Sequence, residues 1–234
     1  MSRNKVRQAL VIPSSALSFL KLLKKNNQRE WFNKHKDRFL EEQGQVEVFA
    51  DALLALLNEH DVIETPSGKK SLHRIYRDTR FSNNKTPYKN NWSGSYSRAG
   101  KQRRGGYYFH IEPGNSFIAG GFWAPNPADL KRIRDDIAFD ASPLRKIIKS
   151  KSFTASFGSL LGEQVKTVPR GFDAHDAAID LLRYKQFLVK RNFTDEEVLA
   201  ENFLKEASLT FRNMRPFFDY MSETLSSDLN GIAL

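Results

Sequence analysis

Between Gly106 and Trp123 the chain alternates with a period of two. Tyr107, Phe109 and Ile111 interleave with Tyr108, His110 and Glu112, and after Pro113-Gly114 the pattern returns from Ser116. That period belongs to an extended strand with one buried face, and Pro-Gly is turn chemistry, so the stretch reads as an antiparallel hairpin. With an even number of loop residues, Tyr107, Phe109, Ile111, Ile118, Gly120 and Phe122 share the face that enters a core. Tyr108, His110, Glu112, Phe117, Ala119, Gly121 and Trp123 then share a face that can wall a pocket, whereas an odd loop scrambles the two sets.

Helical patterns flank this hairpin. Ser14 or Ser15 is placed to cap a short helix to Lys24, with Leu17, Leu20 and Leu23 on one face, and Asn26-Asn27 ends it. A long helix is expected from about Gln28 to His60, bent near Gly44, with Trp31, Phe32, Phe39, Val46, Phe49, Leu53, Leu56 and Leu57 inward. Leu72 to Phe81 reads as a strand entering a loop that Asn83-Asn84 and Pro87 keep irregular. Helices are expected from Pro127 to Phe139, from Ser142 to Lys149, within 150–162, and from Asp176 to Leu182. Val165 to Val168 and Phe187-Leu188-Val189 read as strands. Thr194 and Glu197 form a capping box opening a helix to about Met214, with a kink at Pro216. Strands between about 72 and 123, with later edge strands and helices on both sides, imply an α+β fold. The expectation is a single domain over 1–234, with residues 1–13 a flexible N-terminal extension.

The 234 residues include no cysteine, which excludes a disulfide scaffold, thiolate metal sites and cysteine nucleophiles and suits a reducing compartment. The basic N-terminal stretch lacks an apolar core of signal-peptide length, and no window reaches the roughly 18 apolar residues of a membrane span, so a cytoplasmic protein without membrane attachment is expected.

Charge is unevenly spread. Residues 69–104 hold eleven of the 37 Lys and Arg residues and one of the 27 acids, Asp78, so this segment carries the entire formal net charge of +10. Concentrated positive charge attracts phosphates and carboxylates. Tyr76, Phe81, Tyr88, Trp92 and Tyr96 are interleaved with the bases, where rings can stack on nucleobases or pack beneath a strand.

The run Arg74-Ile75-Tyr76-Arg77-Asp78-Thr79-Arg80-Phe81-Ser82, followed by Lys85-Thr86-Pro87-Tyr88-Lys89, resembles the signature of the domain-of-unknown-function family numbered 2461, found in bacteria and fungi. Phe19-Leu20, Asn26-Asn27 and Arg29-Glu30-Trp31-Phe32 resemble its N-terminal pattern. Gly106-Tyr107-Tyr108 through Gly120-Gly121-Phe122-Trp123 resembles its central hairpin. Pro169-Arg170-Gly171, His175 and Leu181-Leu182-Arg183-Tyr184-Lys185 resemble a later block. The resemblance implies an α+β fold and brings no activity, cofactor or catalytic residues. The chain departs from the family pattern at Asn84, where an acid is expected before Lys85, and at Asp176, where proline is expected after His175.

Read from the residues themselves, Arg74, Arg77, Arg80, Lys85, Tyr88 and Lys89 are the candidates for holding an anion, because the planar guanidinium fork matches phosphate and carboxylate. The competing use is an internal network in which Asp78 pairs with Arg74 or Arg80. Catalytic candidates are His110, beside Tyr108 and Glu112, together with Asp78 and His175, although a lone strand histidine is more often structural. Tyr108, Trp123 and Lys185 are pocket candidates. No metal site or cofactor is expected: His-Glu-x-x-His, Gly-x-Gly-x-x-Gly, Walker and Gly-x-Ser-x-Gly patterns are missing. Three readings follow. The first is a binding module for a phosphate-bearing or otherwise anionic ligand, either nucleic acid or a nucleotide-like or phosphorylated metabolite. The second is an enzyme on a small anionic substrate with Asp78, His110 or His175 transferring protons. The third is an interaction domain for an acidic protein partner.

Overall fold

The structure, a computed structural model, describes residues 10–227. Most of the expected extension over 1–13 lies outside the described residues; within it, Ile12 is buried and Pro13 stands extended at the head of the first helix, α1 (Ser14–Lys25). Neither Ser14 nor Ser15 caps that helix. The Ser15 hydroxyl donates instead to Glu42 at 2.8 Å. Leu17, Leu20 and Leu23 are buried as their spacing requires.

The long helix expected from Gln28 is broken at His35 rather than bent at Gly44, giving α2 (Arg29–Lys34) and α3 (Lys36–Asn58). The imidazole of His35 stacks on Trp31 at 4.0 Å and its Nδ1 lies 2.8 Å from the Trp31 carbonyl oxygen, so the side chain satisfies the backbone where the helix stops. Gly44 sits inside α3, with empty space where a side chain would be. A single turn, α4 (Gly68–Ser71), follows, capped by Ser67.

Four strands, β1 (Trp92–Ser97), β2 (Gly106–Ile111), β3 (Ser116–Phe122) and β4 (Phe187–Phe193), form one antiparallel sheet in the order β1-β2-β3-β4. Residues 112–115 join β2 to β3, an even loop, so Tyr107, Phe109, Ile111, Ile118 and Phe122 are all buried and the polar set faces the other way. The strand expected over 72–81 does not form. Only the isolated bridges Leu72↔Gly94 and Tyr76↔Tyr88 pair there, because Pro87 has no N–H to extend the ladder and Thr79 to Ser82 turns back. The expected edge strand at 165–168 is also missing, pairing being confined to Leu161↔Leu188 and Gln164↔Tyr184.

The remaining helices are α5 (Pro127–Phe139), α6 (Ser142–Ile148), α7 (Lys151–Phe157), α8 (Ile179–Leu182), α9 (Asp195–Leu199) and α10 (Phe203–Ser226). Asp176 caps the turn before α8, accepting from the Ala178 N–H at 2.7 Å, which starts that helix later than expected. The Thr194–Glu197 capping box is present but opens only the short α9. α10 runs through Pro216 to Ser226; buried Phe211, Met214, Phe217, Phe218, Met221 and Leu225 outweigh the missing proline N–H.

The α+β residues cluster into two compact units. The first comprises 10–96, 108–118 and 192–209. Its core joins Phe19, Phe39 and Trp92, with Phe39 and Trp92 stacked at 5.4 Å, to Phe49, Phe109 and Phe203. The second comprises 97–107, 119–191 and 210–227, with Tyr107 and Phe122 packed on Phe211, Phe217 and Phe218. No helix among the described residues is long and apolar enough to cross a membrane.

Candidate functional site

The basic segment does not make one surface. Arg98 is buried, donating to Asp219 at 2.5 Å, to Ser222 at 3.1 Å and to the Arg104 carbonyl at 3.1 Å, and Arg104 pairs with Asp129; all belong to the second unit's internal bonding. Within the loop of the first unit, Arg77 donates to the Thr86 carbonyl at 3.2 Å and also to the Thr86 hydroxyl. Arg80 clamps both oxygens of Asp78 at 3.0 and 2.6 Å, and Lys85 donates to the Thr79 carbonyl at 3.0 Å. Part of the predicted anion-binding set thus folds the loop. The Asp78 carboxyl, held below its ordinary range by Arg80, is engaged as a loop clamp.

Tyr88 is buried, stacked on Phe32 at 4.1 Å, and helps to line a cavity of about 300 Å³ with Arg29, Asn33, Tyr76, Arg77, Thr79 and Pro87. Asn27 pins this strand-like return: its side-chain oxygen accepts from the Tyr88 N–H at 3.1 Å and its amide donates to the Tyr88 carbonyl at 2.9 Å. Sequence reasoning took Asn27 for a helix breaker alone and missed Arg29 and Asn33 as cavity residues.

Arg74 and Lys89 remain. They lie near enough to repel, and Lys89 in turn acts on His73; burial first, then the neighbouring positive charge, holds both the Lys89 amine and the His73 imidazole below their ordinary values. Among the described residues no carboxylate stands at ion-pair distance from Arg74 or Lys89.

His73 connects this group to the sheet. Its backbone N–H donates to the Ser93 carbonyl at 2.8 Å, its Nε2 lies 2.9 Å from the Ser95 hydroxyl and its Nδ1 3.5 Å from that of Ser93. The Tyr108 ring centroid is 5.8 Å from that of His73. The Tyr108 hydroxyl lies 2.9 Å from His110 Nδ1, and His110 Nε2 lies 3.1 Å from Glu112 Oε2. A carboxylate only accepts, so Nε2 carries a proton. Burial, opposed by the Ser93 hydroxyl and helped by a smaller effect of the Glu112 charge, raises the Tyr108 phenol above its ordinary value. The alternation of β2 therefore places Tyr108, His110 and Glu112 on the face expected to wall a pocket. His73, Ser93 and Ser95 join them through a strand that sequence reasoning did not identify.

The other candidates belong to the second unit. Trp123 is 70% exposed just beyond β3. His175 is exposed in a turn, its backbone N–H donating to Asp173 at 2.8 Å, and Lys185 is paired with Glu163 at 2.6 Å.

An antiparallel sheet framed by helices, with Tyr108, His110 and Glu112 hydrogen-bonded along one strand, defines an α+β protein. The chain belongs to the family described as Conserved hypothetical protein (DUF2461), whose model matches residues 15–220. No curated protein and no solved structure matches it.

Proposed function

We propose that the first unit binds a small phosphate-bearing or otherwise anionic ligand at Arg74, Lys89 and His73. The observation that carries this reading is Arg74 and Lys89 without a carboxylate partner, on segments joined where the Lys89 N–H donates to the Ile75 carbonyl at 2.8 Å: Asp78, the acid near Arg74, has both oxygens taken by Arg80. Like charges held together raise the free energy of the empty site, and an anion supplies the missing counter-charge. Because Arg77, Arg80, Lys85, Arg98 and Arg104 all have internal partners, the remaining cations suit a compact anion better than a long polyanion.

Calorimetric titration with inorganic phosphate tests this reading, comparing wild type with a folded Arg74→Ala/Lys89→Ala variant. Saturable binding weakened by about 10-fold or more in the variant is expected, since each charge-assisted hydrogen bond contributes about 1.5–3 kcal/mol. Labelled single-stranded and duplex DNA and RNA provide the second arm. Tight binding with steep salt dependence would replace the small ligand by nucleic acid, and binding of neither probe would end the proposal.

A further inference from the structure

We propose that the same face is catalytic, with Tyr108 the general acid in hydrolysis of a small phosphate monoester whose phosphoryl group is held by Arg74 and Lys89. This inference rests on the anion-binding reading above. Phosphoryl transfer passes through a loose transition state in which charge spreads over the phosphoryl oxygens and builds on the departing oxygen, while the attacking water needs little activation. The reaction therefore asks for cations around the phosphoryl group and an acid at the leaving oxygen. Arg74 and Lys89 are the cations, Lys89 being tied by its backbone N–H to the carbonyl of Ile75, the residue after Arg74, at 2.8 Å, and the His73 imidazole, kept neutral by burial and by Lys89, adds no charge. The Tyr108 phenol, with its ring 5.8 Å from that of His73, is the acid.

The bonds behind Tyr108 are ordered for this role. Glu112 Oε2 accepts from His110 Nε2 at 3.1 Å and from the Asn115 amide at 3.1 Å, and Lys24 lies 4.0 Å from Oε1. That fixes the imidazole with Nδ1 toward the phenol oxygen at 2.9 Å, and Phe117 stacks on the ring at 4.6 Å. A phenol is protonated near neutral pH, as an acid must be. In the step, a water oxygen bonds to phosphorus as the ester P–O bond breaks, and the leaving oxygen takes the Tyr108 proton. The Tyr108 phenolate then regains a proton that solvent delivers to His110 Nδ1, the transient imidazolium being stabilised by Glu112 at Nε2. The proton lost by the attacking water stays on the phosphate. Water is the only co-reactant; His110 and Glu112 are positioning residues.

The test compares turnover of p-nitrophenyl phosphate with that of phenyl phosphate, read as released inorganic phosphate, while phosphate binding is measured in parallel. p-Nitrophenolate departs readily unprotonated and phenolate does not, so a lost acid hurts the second ester more. Tyr108→Phe and His110→Gln are expected to slow phenyl phosphate on the order of 100-fold, and p-nitrophenyl phosphate by less than about 10-fold, with phosphate affinity retained. Arg74→Ala/Lys89→Ala loses both turnover and phosphate binding. Equal loss on the two esters marks a merely structural role and overturns the assignment of Tyr108, as does an unaffected Tyr108→Phe variant. Wild type that binds phosphate and cleaves neither ester overturns the catalytic inference and leaves the binding reading intact. Wild type that does neither overturns both. Circular dichroism of each variant secures its folding, and Glu112→Gln stands in for either variant that misfolds, with the same ester selectivity expected.

Discussion

Asn27 shows how much one side chain can hold in place. It closes two hydrogen bonds on the backbone of Tyr88, whose neighbour Lys89 is a proposed anion ligand, and its amide also reaches Asn90 at 3.1 Å. Truncation leaves a partly buried N–H and C=O without these partners, so Asn27→Ala is expected to destabilise by about 2 kcal/mol, read from urea unfolding. The same variant should weaken phosphate binding, because Lys89 loses its fixed register. None of this is legible from a dipeptide that reads equally well as a helix stop. Arg98 makes the converse point: its charge is counted from the sequence, but a guanidinium spent on Asp219 and Ser222 is unavailable to any ligand.

Whole elements were legible where local period and turn chemistry agree. The β2–β3 hairpin follows from strict alternation and a four-residue connection that preserves it. β1 escaped notice because Ser93, Ser95 and Ser97, flanked by Asn90 and Asn91, look like loop. The strand pairs with β2, and its Gly94 leaves room for the Phe109 ring and the Ser71 carbonyl, which occupy the space a Cβ would need, a packing reason invisible in the local sequence. In α3, by contrast, Gly44 meets nothing and stays helical without needing its freedom. Gly44→Ala is expected to stabilise by about 0.5–1 kcal/mol, seen as a higher urea midpoint at unchanged slope, because alanine costs less backbone entropy in a helix.

At the scale of the molecule the shifted groups set a window of stability in pH. His73 is held below its ordinary 6.5 by burial and by Lys89, next to Arg74, so its contribution is fully present above pH 6.5 and is lost as the pH falls toward the lowered value. Tyr88, Tyr96, Tyr108 and Tyr220 are each raised above 10.0, foremost by burial. Their contribution is complete below pH 10 and is lost as the pH rises toward the raised values. Urea midpoints measured across the range should form a plateau between these limits, and His73→Asn should flatten the first part of the acid limb. Bound phosphate should do the same, because an anion beside His73 raises its folded value.

The sequence by itself determined the α+β class, the alternation within the hairpin strands and the presence of a concentrated basic segment. Periodicity, turn residues and charge are local properties that survive without coordinates. Tertiary structure alone decided which of those charges remain unpaired. The partners of Arg77, Arg80, Arg98 and Arg104 are set by where the chain returns, and a counter-ion's identity depends on distance in space rather than along the chain. The same holds for the grouping of His73 with Tyr108: β2 supplies Tyr108, His110 and Glu112 by alternation, but only the pairing of β1 beside it brings Ser93 and His73 near them.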